Sequence, residues 1–251
     1  MSEPVIGILD ENGKIKPKEK FMEEISEAYE KLKETQGPEY FDLFTDPHNH
    51  FSPDEVLEQY KFIERKLYID GEITKDTATP ILQRIQFWNS EDAFNDTPVD
   101  KRIPIQVYID SPGGLLTTGF AIVDIIRGSK TPVYTIVTGT AYSCGLFIAL
   151  AGHKKFALPN ATFLFHEGSA VLGGDAHKVV QQANFYNDYQ LKQIKDHILK
   201  STNMTRENYK KHMKDDWYFG AKKALEIGAI DKIIEDVNGG IYEDESDESD
   251  E

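Results

Sequence analysis

The chain has 251 residues, 39% of them apolar, which is enough for one sizeable domain with appendages. Its net charge is −15, and no face is predicted to cluster the Lys and Arg that phosphate binding requires, so nucleic-acid binding is not expected. The only cysteine, Cys144, excludes an internal disulfide, and no apolar run approaches the roughly 20 residues that cross a bilayer. These features predict a soluble cytoplasmic protein.

The first 65 residues are predicted to form a helical extension. A helix is expected over residues 17–36, bounded by a proline and a Gly-Pro pair. Its apolar residues lie at helical spacing and are Phe21, Ile25, Ala28 and Leu32. This stripe packs either on its own domain or on a neighbouring subunit. A capping box predicts a second helix over 52–65, and the histidines of residues 46–50 are too few for a metal site, so that segment is interpreted as a solvated loop.

A series of strands and helices follows. The pattern predicts a strand over 66–70, a helix over 77–88 and a polar surface loop over 89–103. Two further strand-helix pairs are predicted over 105–126 and 133–150. Buried strands separated by helices imply right-handed crossovers and a largely parallel sheet. The predicted fold class is therefore α/β.

Ser143 stands where a predicted strand turns into an apolar helix. The strand covers 133–137, Gly139 is interpreted as the turn that ends it, and the helix covers 143–151. A serine at such a turn exposes its hydroxyl beside unpaired amides of the first helical turn, which is how a nucleophile is displayed. The simpler interpretation is that Ser143 caps the helix.

Two other segments favour the nucleophile. The predicted strand over 105–109 ends in a turn that contains Gly113 and Gly114, whose amides can point into a cleft and form an oxyanion hole with the amide of Cys144. A histidine, His166, closes a later predicted strand 23 positions after Ser143. This spacing is more specific than a Pro-Gly-Gly turn alone.

Five motifs in this part of the chain resemble those of the proteolytic subunit of the Clp protease, a serine peptidase family. They are Tyr108 to Gly114, Gly139 to Gly145, Phe156 to Asn160, Phe165-His166, and Gly228 to Ile233. The resemblance implies a fold of repeated ββα units, as in the Clp protease and crotonase families. It also implies a third catalytic residue, an aspartate before an aromatic residue and an Ala-x-x-Ala-x-x-x-Gly helix. Counting back from that helix gives Asp216, although its neighbour Asp215 leaves the register open by one.

The chemistry implied by the resemblance is acyl transfer at a peptide bond, without a cofactor or a metal. His166 takes the proton of Ser143, Asp216 holds the imidazole, and the amides of Gly113 or Gly114 and of Cys144 receive the oxyanion. The chain departs from the family pattern at several points. Cys144 replaces the usual methionine, Glu167-Gly168 replaces a common Gln-Pro pair, and the N-terminal extension replaces short axial loops.

The remaining segments fit the same resemblance. The pattern predicts a long helix over 176–199, which the family uses as a handle between two heptameric rings. A homo-oligomeric ring or double ring is therefore expected, with peptides or unfolded proteins as substrates and an ATPase unfoldase as a possible partner. A short helix is predicted over 205–214. The expected organisation is an extension over 1–65, a peptidase domain over 66–240, and a disordered acidic tail over 241–251.

Several alternatives remain open at this point. Cys144 could be the nucleophile in place of Ser143, although one residue's shift on a helix turns a side chain by roughly 100° and only one of them can face His166. A serine-lysine site would use Lys154 or Lys155, but these are interpreted as a solvated turn. A crotonase-like acyl-CoA enzyme and a non-catalytic ring subunit are the other function classes.

Overall fold

A computed structural model describes residues 61–168 and 173–235. The strands in these ranges are β1 (Lys66–Ile73), β2 (Ile105–Gly114), β3 (Val133–Tyr142), β4 (Lys154–Ala157), β5 (Thr162–Phe165), β6 (Trp217–Gly220) and β7 (Lys232–Ile233). The helices are α1 (Lys75–Phe94), α2 (Leu116–Gly128), α3 (Cys144–Ala149), α4 (Ala176–Phe185), α5 (Leu191–Ser201), α6 (Arg206–His212) and α7 (Ala221–Glu226). The predicted helix over 17–36, the histidines of 46–50 and the acidic tail lie outside these ranges.

The strands form one sheet whose main path is parallel. Its order is β1-β2-β3-β4-β7, and β5 pairs with the last residues of β3. β6 pairs with β5 in the antiparallel direction and so adds one reversed strand at this end of the sheet. The prediction of an α/β fold with a largely parallel sheet is confirmed.

The core lies between the sheet and the helices that cover it. β2 and β3 supply fully buried aliphatic residues, which suits central parallel strands covered on both faces. Trp88 of α1 and Phe147 of α3 are among the largest fully buried side chains of this core. Both central strands end at the site described below.

Two segments that were predicted to be turns are strand instead. Gly139 lies inside β3, and residues 110–114 continue β2, where Gly113 and Gly114 pair with Glu72 and Ile73 of β1. Both corrections have one physical cause, because neighbouring strands supply the hydrogen bonds that local glycine propensity does not predict. The amide of Thr140, for example, donates to Asp110 Oδ1 at 2.8 Å.

The predicted surface loop over 89–103 is wrong in its first part. α1 begins earlier than predicted, at a capping box formed by Thr74 and Thr77, and it continues to Phe94. Its polar end is held by tertiary contacts: the side chain of Asn89 donates to Ser129 Oγ at 2.7 Å, and Asp92 pairs with Arg65. Only residues 95–103 form an irregular connection, which contains one 3₁₀ turn.

The long predicted helix over 176–199 is present as one helical run that extends to Ser201. A π-helical turn, Tyr186–Gln190, joins α4 to α5 within it. α4 has no buried residue, whereas α5 buries Ile194, His197 and Ile198. In the two described ranges no helix combines the length and apolarity needed to span a bilayer, and no group of three or more His, Cys, Asp or Glu residues is placed to hold a metal ion.

Candidate active site

The pairing of β3, β5 and β6 brings the three predicted catalytic residues to the same end of these strands. Ser143 follows the last residue of β3, and His166 follows the last residue of β5, which runs parallel to β3. Asp216 precedes β6, whose first residue pairs with Phe165 at the end of β5. Because paired strand ends lie side by side, the three residues occupy neighbouring positions although they are far apart in sequence.

The backbone of Ser143 adopts a conformation that is uncommon for a residue with a side chain. Its φ of 53° and ψ of −118° are held by the helix that follows and by its amide, which donates to Leu164 O at 3.0 Å. The side chain makes no capping hydrogen bond to α3, so the simpler interpretation of Ser143 as a helix cap lacks the bond that defines it. Such strain typically persists where surrounding structure enforces it and is common at functional sites.

Gly113 packs directly against this turn. A Cβ atom at Gly113 would lie 2.8 Å from both Ser143 Cβ and Tyr142 O, and the φ of Gly113 is +101°, so only glycine fits. The amide of Gly113 donates to Ser111 Oγ at 3.1 Å and is therefore already engaged. Of the two glycines predicted for an oxyanion hole, Gly114 is thus the better candidate. The amide of Cys144 opens α3 and has no partner within that helix.

His166 and Asp216 face each other. His166 Nδ1 lies 3.4 Å from Asp216 Oδ1, while the amide of Asp215 donates to His212 O and no ion pair joins Asp215 to His166 among the described residues. The structure thus brings Asp216, and not its neighbour, to the imidazole. His166 Nε2 is buried and has no hydrogen-bond partner among the described residues, Ser143 Oγ included. Catalytic hydrogen bonds are often long or absent without substrate, and Nε2 is the atom that accepts a serine proton in such a site.

Cys144 is poorly suited to act as a nucleophile. Its thiol is buried and donates to Gly114 O at 3.4 Å. Burial raises the pKa of the thiol to about 11, and contacts with Gly114 and Ser143 offset only part of this effect. Because the thiolate is the reactive form, the thiol would be almost wholly protonated and unreactive at neutral pH.

The two lysines considered for a serine-lysine site lie elsewhere. Lys154 and Lys155 belong to β4, so their interpretation as a solvated turn is wrong. Lys155 Nζ donates to Ser201 O and Gly228 O, at 3.3 and 3.0 Å, and so joins the ends of two helical segments. The turn is predicted because Gly152 stands shortly before the two lysines, and glycine is typical of a break in secondary structure.

Three residues around the site were not recognised from the sequence. Ser111 is fully buried, donates to Gly71 O and accepts the bond from Gly113, so it fixes the glycine pair. Tyr186 and Tyr209 both reach Glu167, which follows His166. The one sequence signal that could have drawn attention to Tyr209 is its position as a lone tyrosine among the polar and charged residues of helix α6.

Comparison with known proteins supplies an independent result. The Clp protease family profile matches residues 54–237. The chain is 34% identical over 178 residues to the ATP-dependent Clp protease proteolytic subunit 2 of Treponema pallidum (strain Nichols), which covers 70% of this chain and 85% of that protein. It is 33% identical over 187 residues to the protein of the same description from Treponema denticola, covering 74% and 89%.

The chain belongs to the Clp protease family. The family implies a peptidase, and the relatives support the role of a Clp protease proteolytic subunit. The resemblance inferred from the five motifs is thereby confirmed.

Proposed function

We propose that this protein is a serine endopeptidase in which Ser143, His166 and Asp216 form the catalytic triad. The observation that carries the proposal is the position of Ser143, held at a left-handed φ between Gly113 and the end of β5, next to the His166–Asp216 pair. Membership of the Clp protease family supports the same chemistry.

The mechanism follows from these positions. His166 Nε2 takes the proton of Ser143 as Oγ attacks the peptide carbonyl, and later returns it to the leaving amine. Asp216 stabilises the protonated imidazole and fixes its tautomer through Nδ1. The amides of Gly114 and Cys144 receive the oxyanion, and each such donor contributes about 3 to 4 kcal/mol of transition-state stabilisation.

The proposal includes a homo-oligomeric ring or double ring in the cytoplasm, with peptides or unfolded proteins as substrates. Both relatives are described as ATP-dependent, which supports an ATPase partner that unfolds and delivers substrates. The exposed helix α4 supports the assembly, because a helix without buried residues has an apolar side left for another subunit.

A fluorophosphonate probe tests the function. The assembled protein should be labelled at Ser143, as mapped by mass spectrometry, because a base and oxyanion donors activate that hydroxyl. Ser143→Ala should abolish both labelling and cleavage of short fluorogenic peptides, and His166→Ala should do nearly the same since triad members act as a unit. Asp216→Asn should lower the rate roughly 10⁴-fold, whereas Asp215→Asn should not.

Two controls separate the alternatives. Ser90→Ala removes an exposed serine of α1 and should leave labelling unchanged. Cys144→Ala should retain labelling because the backbone amide survives, whereas a cysteine nucleophile would be lost. Assembled protein that no probe labels would favour a crotonase-like enzyme or a non-catalytic ring subunit over the peptidase.

A further inference from the structure

One tyrosine contacts the residues on both sides of His166. Tyr209 of α6 is 1% exposed, and its ring packs on Phe165 with the centroids 5.4 Å apart. Its hydroxyl donates to Glu167 Oε1 at 3.1 Å. Phe165 and Glu167 are two positions apart and meet Tyr209, whereas His166 between them meets Asp216, as expected for side chains that alternate along an extended segment. Tyr209 therefore contacts both sequence neighbours of His166, while His166 itself contacts Asp216.

A second tyrosine reaches the same residue from the long helical run. The hydroxyl of Tyr186 donates to the carbonyl oxygen of Glu167 at 2.6 Å. Tyr186 is the first residue of the π-helical turn between α4 and α5. Such turns are rare and occur frequently at functional sites. Here the turn positions the phenol of Tyr186, whose hydrogen bond fixes the backbone of Glu167, the residue after His166.

The helix that carries Tyr209 also supports the partner of His166. His212 lies three positions after Tyr209, and its ring stacks on Trp217 with the centroids 4.0 Å apart. Trp217 directly follows Asp216 and pairs with Phe165 across the β5–β6 ladder. One short helix therefore contacts both strands from which the proposed acid and base project.

We propose that Tyr209, Tyr186 and Glu167 are positioning residues for His166. This inference rests on the peptidase function proposed above. Tyr209 holds the side chain of Glu167 and Tyr186 holds its carbonyl oxygen, so the backbone next to the imidazole is fixed by two hydrogen bonds.

Both tyrosines remain hydrogen-bond donors over a wide pH range. Burial, followed by the neighbouring Glu167 carboxylate, raises the pKa of Tyr209 and also that of Tyr186. A raised pKa keeps the phenol protonated in neutral and mildly alkaline solution. The hydrogen bonds from Tyr209 and Tyr186 to Glu167 are therefore not lost by deprotonation of a phenol at physiological pH.

Substitutions that remove a single hydroxyl or carboxylate from the assembled protein test the inference. Tyr209→Phe keeps the ring and removes one donor, and it should lower kcat for a fluorogenic peptide about fivefold to tenfold while KM changes less than about twofold. Glu167→Ala and Tyr186→Phe should act in the same direction. Glu167→Gln should retain most of the rate, because its amide oxygen accepts the same bond from Tyr209.

The matched control is Tyr189→Phe, in the same π turn. Tyr189 is exposed, its ring stacks on Phe185, and its hydroxyl has no hydrogen bond within the described ranges. This variant should match the parent in both constants. Light scattering and circular dichroism of every variant establish that assembly and folding are retained.

Carbethoxylation of histidines by diethyl pyrocarbonate gives a readout that does not require activity. The rate at His166 should rise severalfold in Tyr209→Phe and Glu167→Ala, while exposed His177 on α4 reacts at a constant rate. Unchanged kcat together with an unchanged rate at His166 would overturn the inference. An inactive parent protein would overturn the peptidase function instead. The modification rates at His166 would still decide whether Tyr209 and Glu167 position it.

Discussion

Among single residues, His197 of α5 shows how a polar group is kept in this core. The residue is 3% exposed, and its Nε2 lies 2.8 Å from Phe147 O, so Nε2 carries the proton and donates it. Nδ1 is buried and has no hydrogen-bond partner within the described residues. Burial, followed by the positive charge of Arg127, lowers the pKa of His197 to about 4. His197 is therefore neutral in the folded protein at neutral pH.

This pKa makes stability depend on pH. The folded-state pKa of about 4 lies below the ordinary value of 6.5, so the unfolded chain binds the proton first as pH falls. The free energy of unfolding should be greatest above pH 6.5 and should decrease between pH 6.5 and 4, by on the order of 3 kcal/mol from this group. Urea unfolding at fixed protein concentration, followed by tryptophan fluorescence, measures the change.

The control for that experiment is His197→Leu. It should cost about 1 kcal/mol at pH 7 through the lost bond to Phe147 O, and it should flatten the dependence between pH 6.5 and 4. Equal pH dependence in both proteins would mean that other groups cause the effect.

At the scale of elements, a buried ion pair joins Arg65, the residue before β1, to Asp92 of α1. The guanidinium of Arg65 donates two bonds of 2.8 Å to the carboxylate of Asp92, and Thr131 Oγ1 donates to the same carboxylate at 2.6 Å. Burial alone would raise the pKa of Asp92, but the bonds from Arg65 and Thr131 outweigh it and hold the pKa below its ordinary value. Arg65 also contacts Glu91, at 3.0 Å.

Removing one partner should therefore be costly. Asp92→Ala leaves a buried guanidinium without its main counter-ion and should lower the free energy of unfolding by about 3 to 5 kcal/mol. Glu91→Ala is the matched control, because its side chain is more exposed and such pairs contribute about 1 kcal/mol or less. Chemical denaturation of the two variants checks the difference, and equal losses would contradict it.

The elements divide into those that local pattern predicts and those that it does not. The buried strands β2 and β3 and the serine turn were predicted because apolar runs and glycines are local features of the chain. The end of α1 and the strand character of Gly139 depend on Arg65, Asp110 and other partners that are distant in sequence, so local pattern misassigned them. Whether Asp215 or Asp216 faces His166 depends on the pairing of β6 with β5, which the sequence alone does not determine.

For the whole molecule, α4 leads to a prediction about assembly. Val180 is 58% exposed and lies on the same side of the helix as Ala183. Val180→Glu with Ala183→Glu should reduce the proposed ring to particles near the 28.5 kDa of one chain, because buried unpaired carboxylates oppose association. Gln182→Glu adds a charge to an exposed site on the opposite side of the helix and should leave the ring intact. Light scattering at micromolar concentration measures both.

The subunit fold should survive those changes, since α4 has no residue in the core. Circular dichroism of this double variant should match that of the parent protein. A parent protein that is monomeric at micromolar concentration would contradict the prediction directly.

The π-helical turn also sets the phase of the two helices that it joins. Such a turn holds one residue more than an α-helical turn, so side chains beyond it are rotated by about 100° from where an unbroken helix would place them. On the two sides of this turn, α4 has no buried residue, whereas α5 buries Ile194, His197 and Ile198. Deleting one residue from the turn would therefore rotate the whole of α4 by about 100° relative to the core-packed α5.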